Sequence, residues 1–149
     1  MSAIAHEIRP AVADLSMTSA PLPANNKALH DQLFITIDLN AELFLAGLDA
    51  SFVRDTDDAP QGKDYDALRA LAANQLAQKF TNQWPNFEKA LTGIADDRPL
   101  SFQLDSIQVE DNPAITFPRS SKIKISAPLG PNDTSVRFGW NTVLGPLVI

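Results

Sequence analysis

The sequence predicts a mainly β fold, an antiparallel β-sandwich of the immunoglobulin-like class with one helical insertion. Short segments with alternating apolar residues recur along the chain, and loops rich in Pro, Asn and Asp separate them. One stretch, at about 64–92, follows helical spacing instead. We expect residues 1–5 to be a signal-peptide remnant or an added start, and 6–149 to form a single domain.

The first two predicted strands lie near the N-terminus. The first covers about 7–19, and Pro10 places its start at a sheet edge because proline cannot donate a ladder hydrogen bond. A loop rich in Pro and Asn follows at 20–28. The segment LFITIDL at 33–39 alternates strictly and is the clearest strand. Asn40 then caps a short helical turn.

A long helix is expected to begin near Asp64, which would be its N-terminal cap. Its apolar residues recur at spacings of three and four and form one stripe: Tyr65, Leu68, Ala72, Leu76, Phe80 and Trp84. Pro85 should end or kink this helix, because its ring removes a helical hydrogen bond and clashes with the preceding turn. A further turn or two would then close at Gly93.

The C-terminal third returns to strand-like patterns. In LSFQLDSIQV, at 100–109, the apolar phase changes midway, which predicts a β-bulge near Asp105. The segments SKIKISA at 121–127 and SVRFGW at 135–140 both alternate. The last residues, GPLVI, are apolar, and we expect the natural protein to continue beyond them.

Composition excludes several classes of function. The net charge of -6 and the pI near 4.7 leave no basic surplus to neutralise phosphates, so nucleic acid is not an expected partner. The absence of cysteine removes disulfides, thiolate metal sites and cysteine nucleophiles. Phosphate-binding, dinucleotide and metalloprotease motifs are missing. We therefore expect a non-enzyme, and the 18 acidic residues leave a carboxylate-dependent hydrolase as an alternative.

The first candidate metal site lies at the N-terminus. The Ala-Ile-Ala triplet at 3–5 has the small-x-small pattern of a signal-peptide cleavage site. Cleavage there would give His6 a free α-amine beside its imidazole. These nitrogens, with Glu7 or His30 as a third ligand, suit a transition metal such as Ni, Cu or Zn; Co joins this list only through the family resemblance given below. The alternative is that His6 is an exposed residue at the start of a strand.

An acidic loop is the second candidate. Asp55, Asp57 and Asp58 supply oxygen ligands at close spacing, as a Ca²⁺ site requires. The loop lacks the central Gly and the terminal Glu of an EF-hand. The competing interpretation is a solvated loop whose aspartates cap the helix that follows.

Three segments together resemble a known family: AHEIRPAVADL at 5–15, DTDDAP followed by YDALRAL within 55–71, and RFGWNTVLGPLV at 137–148. They resemble the N-terminal extracytoplasmic domain of HupE/UreJ-type membrane proteins, over about 5–149. The resemblance implies an exported β-rich domain that precedes a bundle of transmembrane helices. HupE and UreJ relatives are associated with nickel or cobalt uptake. Their metal-linked residues lie in the membrane helices, so none can be assigned here.

The functional hypothesis is a non-catalytic periplasmic domain of a polytopic membrane protein, a binding or metal-delivery module for nickel/cobalt-type transport. Its expected partners are its own C-terminal transmembrane region, a metal ion and a protein partner. One alternative is a free-standing periplasmic protein-interaction module that pairs a sheet edge with a partner strand. The hydrolase alternative needs a deep pocket lined by two carboxylates.

Overall fold

The structure, a computed structural model, describes residues 8–18 and 32–149. In chain order its helices and strands are β1 (Ala11–Thr18), β2 (Gln32–Leu39), α1 (Ala41–Leu45), α2 (Gly62–Arg69), α3 (Ala73–Glu88), β3 (Leu91–Ala95), β4 (Arg98–Pro99), β5 (Gln103–Val109), β6 (Ser121–Pro128), β7 (Val136–Trp140) and β8 (Leu147–Val148). Short 3₁₀ turns cover Thr56–Asp58 and Thr142–Leu144. The fold is mixed α/β, with more helix than the mainly β prediction allowed.

Five strands form the larger sheet, in the order β5-β6-β2-β1-β8. Neighbouring strands are antiparallel, except that β8 runs parallel to the start of β1. At its centre Ile35 of β2 lies opposite Ile125 of β6. The register of β5 shifts between Leu104 and Ser106, which confirms the predicted bulge near Asp105.

One face of this sheet forms a single core with α3. The alternation of β2 and β6 places their isoleucines on that face, and all of them are buried. Leu76, Phe80 and Phe87 of α3 join the same core, and each is at most 1% exposed. The rings of Phe80 and Phe87 lie 5.0 Å apart. Of the predicted apolar stripe, Leu76, Phe80 and Trp84 lie on the face of α3 that packs against this core. Its other members do not belong to α3, and Ala72, just before the helix, is exposed.

The predicted single helix at 64–92 is wrong in its continuity and in its N-terminal cap. Two helices, α2 and α3, replace it, and the chain breaks between them at 70–72. Pro85 lies inside α3, which continues to Glu88. This proline is exposed, so the carbonyl group that it leaves unpaired one turn earlier can bind water. Asp64 lies in the first turn of α2, and Gln61 holds the cap position.

Gly93 does not end a helix but lies in β3, within a second sheet of order β4-β3-β7. The Phe102 ring packs directly on it: a Cβ atom at this position would lie 2.4 Å from Phe102 Cζ. The helices in the described ranges are all too short or too polar to cross a membrane.

Candidate functional site

A buried ion pair joins α1 to the segment that precedes β6. Glu42 lies in the first turn of α1 and accepts a 2.8 Å hydrogen bond from Nε of Arg119. The preceding Asn40 caps α1 as predicted, since its Oδ1 accepts from the Leu43 amide at 3.3 Å. Its amide group also donates to the Tyr65 hydroxyl at 2.9 Å. The start of α1 therefore connects to both α2 and the segment before β6.

The same arginine holds the end of α2. Nη1 of Arg119 donates to the Leu71 carbonyl at 2.8 Å, and Nη2 donates to the Leu68 carbonyl at 3.3 Å. The last carbonyls of a helix lack intrahelical partners, and the helix dipole makes this end partly negative. A cation that binds these carbonyls therefore stabilises the break between α2 and α3.

A second buried arginine extends from α2 in another direction. Arg69 is 2% exposed, its Nε donates to the Phe117 carbonyl at 2.8 Å, and its Nη2 donates to the Ala114 carbonyl at 2.9 Å. Burial, and then the nearby charge of Arg119, lower the pKa of Arg69 below its ordinary value. The guanidinium group still stays charged at neutral pH, because an arginine side chain is not deprotonated in proteins.

Together the two arginines fix residues 110–120, which we call the clamped loop. Arg69 binds the carbonyls near its tip, and Arg119 holds its C-terminal end. Two large apolar side chains of this loop nevertheless point to solvent: Ile115 is 57% exposed and Phe117 is 63% exposed. The backbone of the loop is thus fixed by buried arginines, while its two large apolar side chains stay exposed to solvent.

The carboxyl group of Glu42 is sealed inside this network. The residue is 0% exposed, and among the described residues its Oε2 atom has no hydrogen-bond partner. Burial raises the pKa of Glu42, although hydrogen bonding to its backbone and the charge of Arg119 oppose the shift. Burial likewise raises the pKa of the Tyr65 hydroxyl. These groups hold the fold together and do not face solvent.

An open cleft of about 270 Å³ lies beside the stem of the clamped loop. Two carboxylates line it, and both bind the same residue. Asp38 accepts from the Ser120 hydroxyl at 2.5 Å, and Glu110 accepts from the Ser120 amide at 3.3 Å. Arg9 lies in the same lining. The cleft therefore combines acidic and basic side chains.

The predicted metal ligands His6, Glu7 and His30 all lie outside the described residues. The acidic loop at 55–58 is described, and Asp55 caps the 3₁₀ turn there by accepting from the Asp57 amide at 3.0 Å. Capping is the role that the alternative interpretation gave these aspartates, although the capped element is not α2. Within 8–18 and 32–149, no group of three or more His, Asp or Glu side chains is arranged to hold a metal ion.

Glu42, Arg69 and Arg119 were not among the site residues predicted from the sequence. One signal was present for Arg69: it follows Tyr65 by four positions, so both lie on the same face of the helix. For Arg119 no local pattern exists, because its ion-pair partner is 77 residues away.

Comparisons with protein-family models, with curated proteins and with solved structures found no match to this chain. The resemblance to HupE/UreJ-type proteins therefore stays a prediction.

Proposed function

We propose that this chain is a non-catalytic, extracytoplasmic binding domain of a polytopic membrane protein of the HupE/UreJ type, and that the clamped loop is its contact surface. The observation that carries the proposal is the clamp itself. Arg69 holds the backbone at Ala114 and Phe117, while the Phe117 ring stays exposed. A loop already fixed before binding loses little conformational entropy on contact, and buried aromatic anchors supply much of the energy of interfaces.

The buried charged residues bind other parts of the domain, and this supports a binding role for the domain over a catalytic one. Arg69 and Arg119 direct donors at main-chain carbonyls, and Glu42 binds Arg119. A catalytic acid, base or electrostatic stabiliser must come within reach of its substrate. These three residues are each at most 3% exposed, so their role is to hold the loop.

The extracytoplasmic location comes from the sequence resemblance and from the cleavage-like triplet at 3–5. The finer assignment of the two sheets to an immunoglobulin-like sandwich belongs to the same proposal, since such sandwiches are frequent in cell-surface domains. A free-standing module is the alternative. The gene decides between them: apolar runs of about 20 residues downstream support the membrane protein.

Cysteine labelling in whole cells tests the location. The chain has no cysteine, so Lys89→Cys, at an exposed position, introduces a unique thiol into this domain. In intact cells that produce the full-length protein, a membrane-impermeant maleimide should label the peptide containing residue 89. A cytosolic thiol protein serves as the control for cell integrity. Labelling that requires cell lysis would reject the extracytoplasmic location.

Photo-crosslinking tests the contact surface. A photoreactive phenylalanine analogue is placed at Phe117 or, as the matched control, at Phe52, which is 86% exposed and lies outside the clamped loop. In cells that produce the full-length protein, residue 117 should form adducts with a neighbouring protein or lipid at a yield well above that of residue 52. Equal yields at the two positions would contradict the proposal.

The metal-delivery version of this function stays a prediction, in which His6, Glu7 and His30 bind the metal ion. Calorimetric titration of Ni²⁺, Cu²⁺ and Zn²⁺ into protein that begins at His6 tests it, with His6→Ala as the control. Equal affinities of the two proteins would reject the N-terminal chelate.

The cleft favours a second candidate, the carboxylate-dependent hydrolase, because Asp38 and Glu110 both line it. Paired carboxylates are the groups that glycosidases use. The test is hydrolysis of a panel of chromogenic glycosides by the wild type and by the Asp38→Asn/Glu110→Gln double variant. Activity that the double variant loses supports this candidate, and identical background rates reject it.

A further inference from the structure

We propose that the open edge of β1 pairs with β1 of a second copy of this chain, so that two copies form one continuous sheet across a two-fold axis. The open edge comprises residues 13–18, which continue beyond the two residues of β1 that β8 covers. The pairing depends on neither a membrane nor the location of the domain, so it goes beyond the proposed function.

The backbone of the open edge has hydrogen-bonding groups on its outer side. The amide of Ala11 donates to the Pro146 carbonyl at 3.0 Å, on the side where β8 lies. Backbone groups alternate between the two sides of a strand, and the register of β1 with β2 is unbroken over 12–18. The N–H and C=O groups of Leu15 and Met17 therefore point away from β2. In the described part of the chain, no strand pairs with them.

Apolar side chains are exposed along the same edge. Ala13, Leu15 and Met17 share the face of β1 that continues the core, and their exposure increases along the strand. Ala13 is 2% exposed, whereas Met17 is 66% exposed. On the other face, Asp14 and Ser16 are exposed. A strand that covers this edge must therefore be apolar on one face and polar on the other, and β1 itself has this alternation.

The other sheet edges in the described ranges carry features that prevent strand pairing, and the open edge does not. Bulges, prolines, charged side chains and very short strands all protect free edges. β5, at the opposite edge of the larger sheet, has the bulge between Leu104 and Ser106. In the smaller sheet, β4 is only two residues long and contains Pro99, while β7 carries the exposed Arg137. The open edge has neither a bulge nor a proline, and Asp14 is its only charged residue.

The backbone alternation and the position of β8 fix the register of the pairing. Antiparallel strands related by a two-fold axis must bring their outward-pointing backbone groups together. This happens when Leu15 lies opposite Met17 of the second copy, and Met17 lies opposite the Leu15 of that copy. Each of these pairs exchanges two hydrogen bonds. The paired region stops short of Val12, where Val148 of β8 already lies, and Ser16 faces its own counterpart on the axis.

This register covers apolar side chains and separates like charges. Leu15 and Met17 of the two copies meet on the core side, where apolar cross-strand pairs stabilise a sheet. Asp14 lies opposite residue 18 of the second copy, so the two Asp14 carboxylates do not face each other. The net charge of -6 on each copy opposes association, and salt screens this repulsion. Pairing is therefore expected to be strongest at high salt.

Disulfide trapping tests the register. The chain has no cysteine, so Ser16→Cys gives each copy a single thiol. Opposite residues of a non-hydrogen-bonded pair have Cα atoms about 4.5 Å apart, which a disulfide can span. Asp14→Cys is the control on the same face, because its two copies would lie four residues, or about 13 Å, apart along the strands.

In a glutathione redox buffer at high salt, Ser16→Cys should form the covalent dimer at least about tenfold more readily than Asp14→Cys, since only its thiols meet. Equal yields of covalent dimer from the two variants would overturn the proposed pairing.

Sedimentation equilibrium tests association without added thiols. At high salt the wild type should shift from monomer to dimer as its concentration rises. Met17→Lys places a charge on the open edge at an exposed position and should stay monomeric over the same range. Phe52→Lys, at an exposed position outside β1, should associate like the wild type. Matching urea midpoints establish that the variants fold. A monomeric wild type, or a Met17→Lys protein that associates equally well, would show that the open edge does not pair with a second copy.

Discussion

Nε of Arg119 lies 2.8 Å from Oε1 of Glu42, although 77 positions separate the two residues in the sequence. Their side chains are 2% and 0% exposed. This ion pair joins α1, at the end of the second strand, to the segment that leads into β6. It therefore connects two parts of the chain that are distant in sequence.

Glu42→Gln should lower the free energy of unfolding by about 3–5 kcal/mol, because Arg119 would remain buried without an opposite charge. Urea denaturation at neutral pH measures the change. The matched control is Arg98→Ala, which breaks the more exposed pair between Arg98 and Asp133 and should cost less than about 1 kcal/mol.

The paired replacement Glu42→Leu/Arg119→Met should recover much of this loss, since apolar residues can replace a buried ion pair at little cost. A Glu42→Gln variant as stable as Arg98→Ala would show that the buried pair contributes little.

Arg69→Met should loosen the clamped loop. It removes the donors to the Phe117 and Ala114 carbonyls, and an unsatisfied carbonyl costs about 1–3 kcal/mol when buried. Hydrogen exchange should therefore speed up at the Phe117 amide by roughly tenfold or more, while amides at the centre of β2 keep their protection. Arg137→Met, at an exposed arginine of β7, should change neither region. Unchanged exchange at Phe117 would mean that the loop is held by other contacts.

Gly93→Ala should destabilise the protein by about 1–3 kcal/mol, because the added methyl group would overlap the Phe102 ring. Thermal or urea unfolding measures the effect. Gly139→Ala is the control in the adjacent strand, where a Cβ atom would meet nothing within 4 Å, and we expect it to change stability by less than about 1 kcal/mol. Equal effects of the two substitutions would contradict the packing argument.

The free energy of unfolding should decrease at acidic pH, because Asp96 becomes protonated. The Ser135 hydroxyl first, and then the Thr134 amide, hold the pKa of Asp96 below its ordinary value of 3.8. A depressed folded-state pKa gives stability that is present above the unfolded pKa and is lost as pH falls through the folded pKa. The loss is therefore expected below about pH 4.

Urea midpoints of the wild type and Asp96→Asn, measured from pH 6 to pH 2, should converge toward the acid end. Asn is a suitable replacement because Asp96 has a φ of 48°, a conformation that Asn tolerates. Asp97→Asn, at the next position, controls for the loss of one charge in this turn. If Asp96→Asn and the wild type lose stability in parallel, Asp96 does not carry the effect.

The strands were predictable where alternate residues are apolar and face the core. β2 and β6 were found almost to the residue, since each places isoleucines on the core side. The bulge near Asp105 followed from a change of apolar phase. In these cases the pattern and the packing obey the same period of two.

The errors arose where tertiary contacts override local pattern. The apolar stripe continues across 70–72, so the local sequence does not predict the break between α2 and α3. Arg119, which is remote in sequence, stabilises this break. β3 was taken for the end of a helix, because Gly93 is a frequent helix terminator and its contact with Phe102 depends on the folded structure.

The candidate site was the least predictable part. Charged residues are usually solvated, so Glu42 and Arg119 gave no reason to expect burial. What could be predicted was the polar cap Asn40, whose role is local. The residues that fix the clamped loop bind backbone groups that are remote in sequence. Such contacts produce no periodic pattern in the sequence.

The pairing of β2 with β6 also fixes the order of events during synthesis. Leu39 at the end of β2 lies opposite Ser121 at the start of β6, so the centre of the larger sheet cannot close until the residues of β6 have been made. Helices form quickly from local contacts, whereas distant strands pair slowly. The growing chain therefore carries α3 with its apolar face uncovered, and Arg119 and β6 arrive together to complete both the ion pair and the sheet.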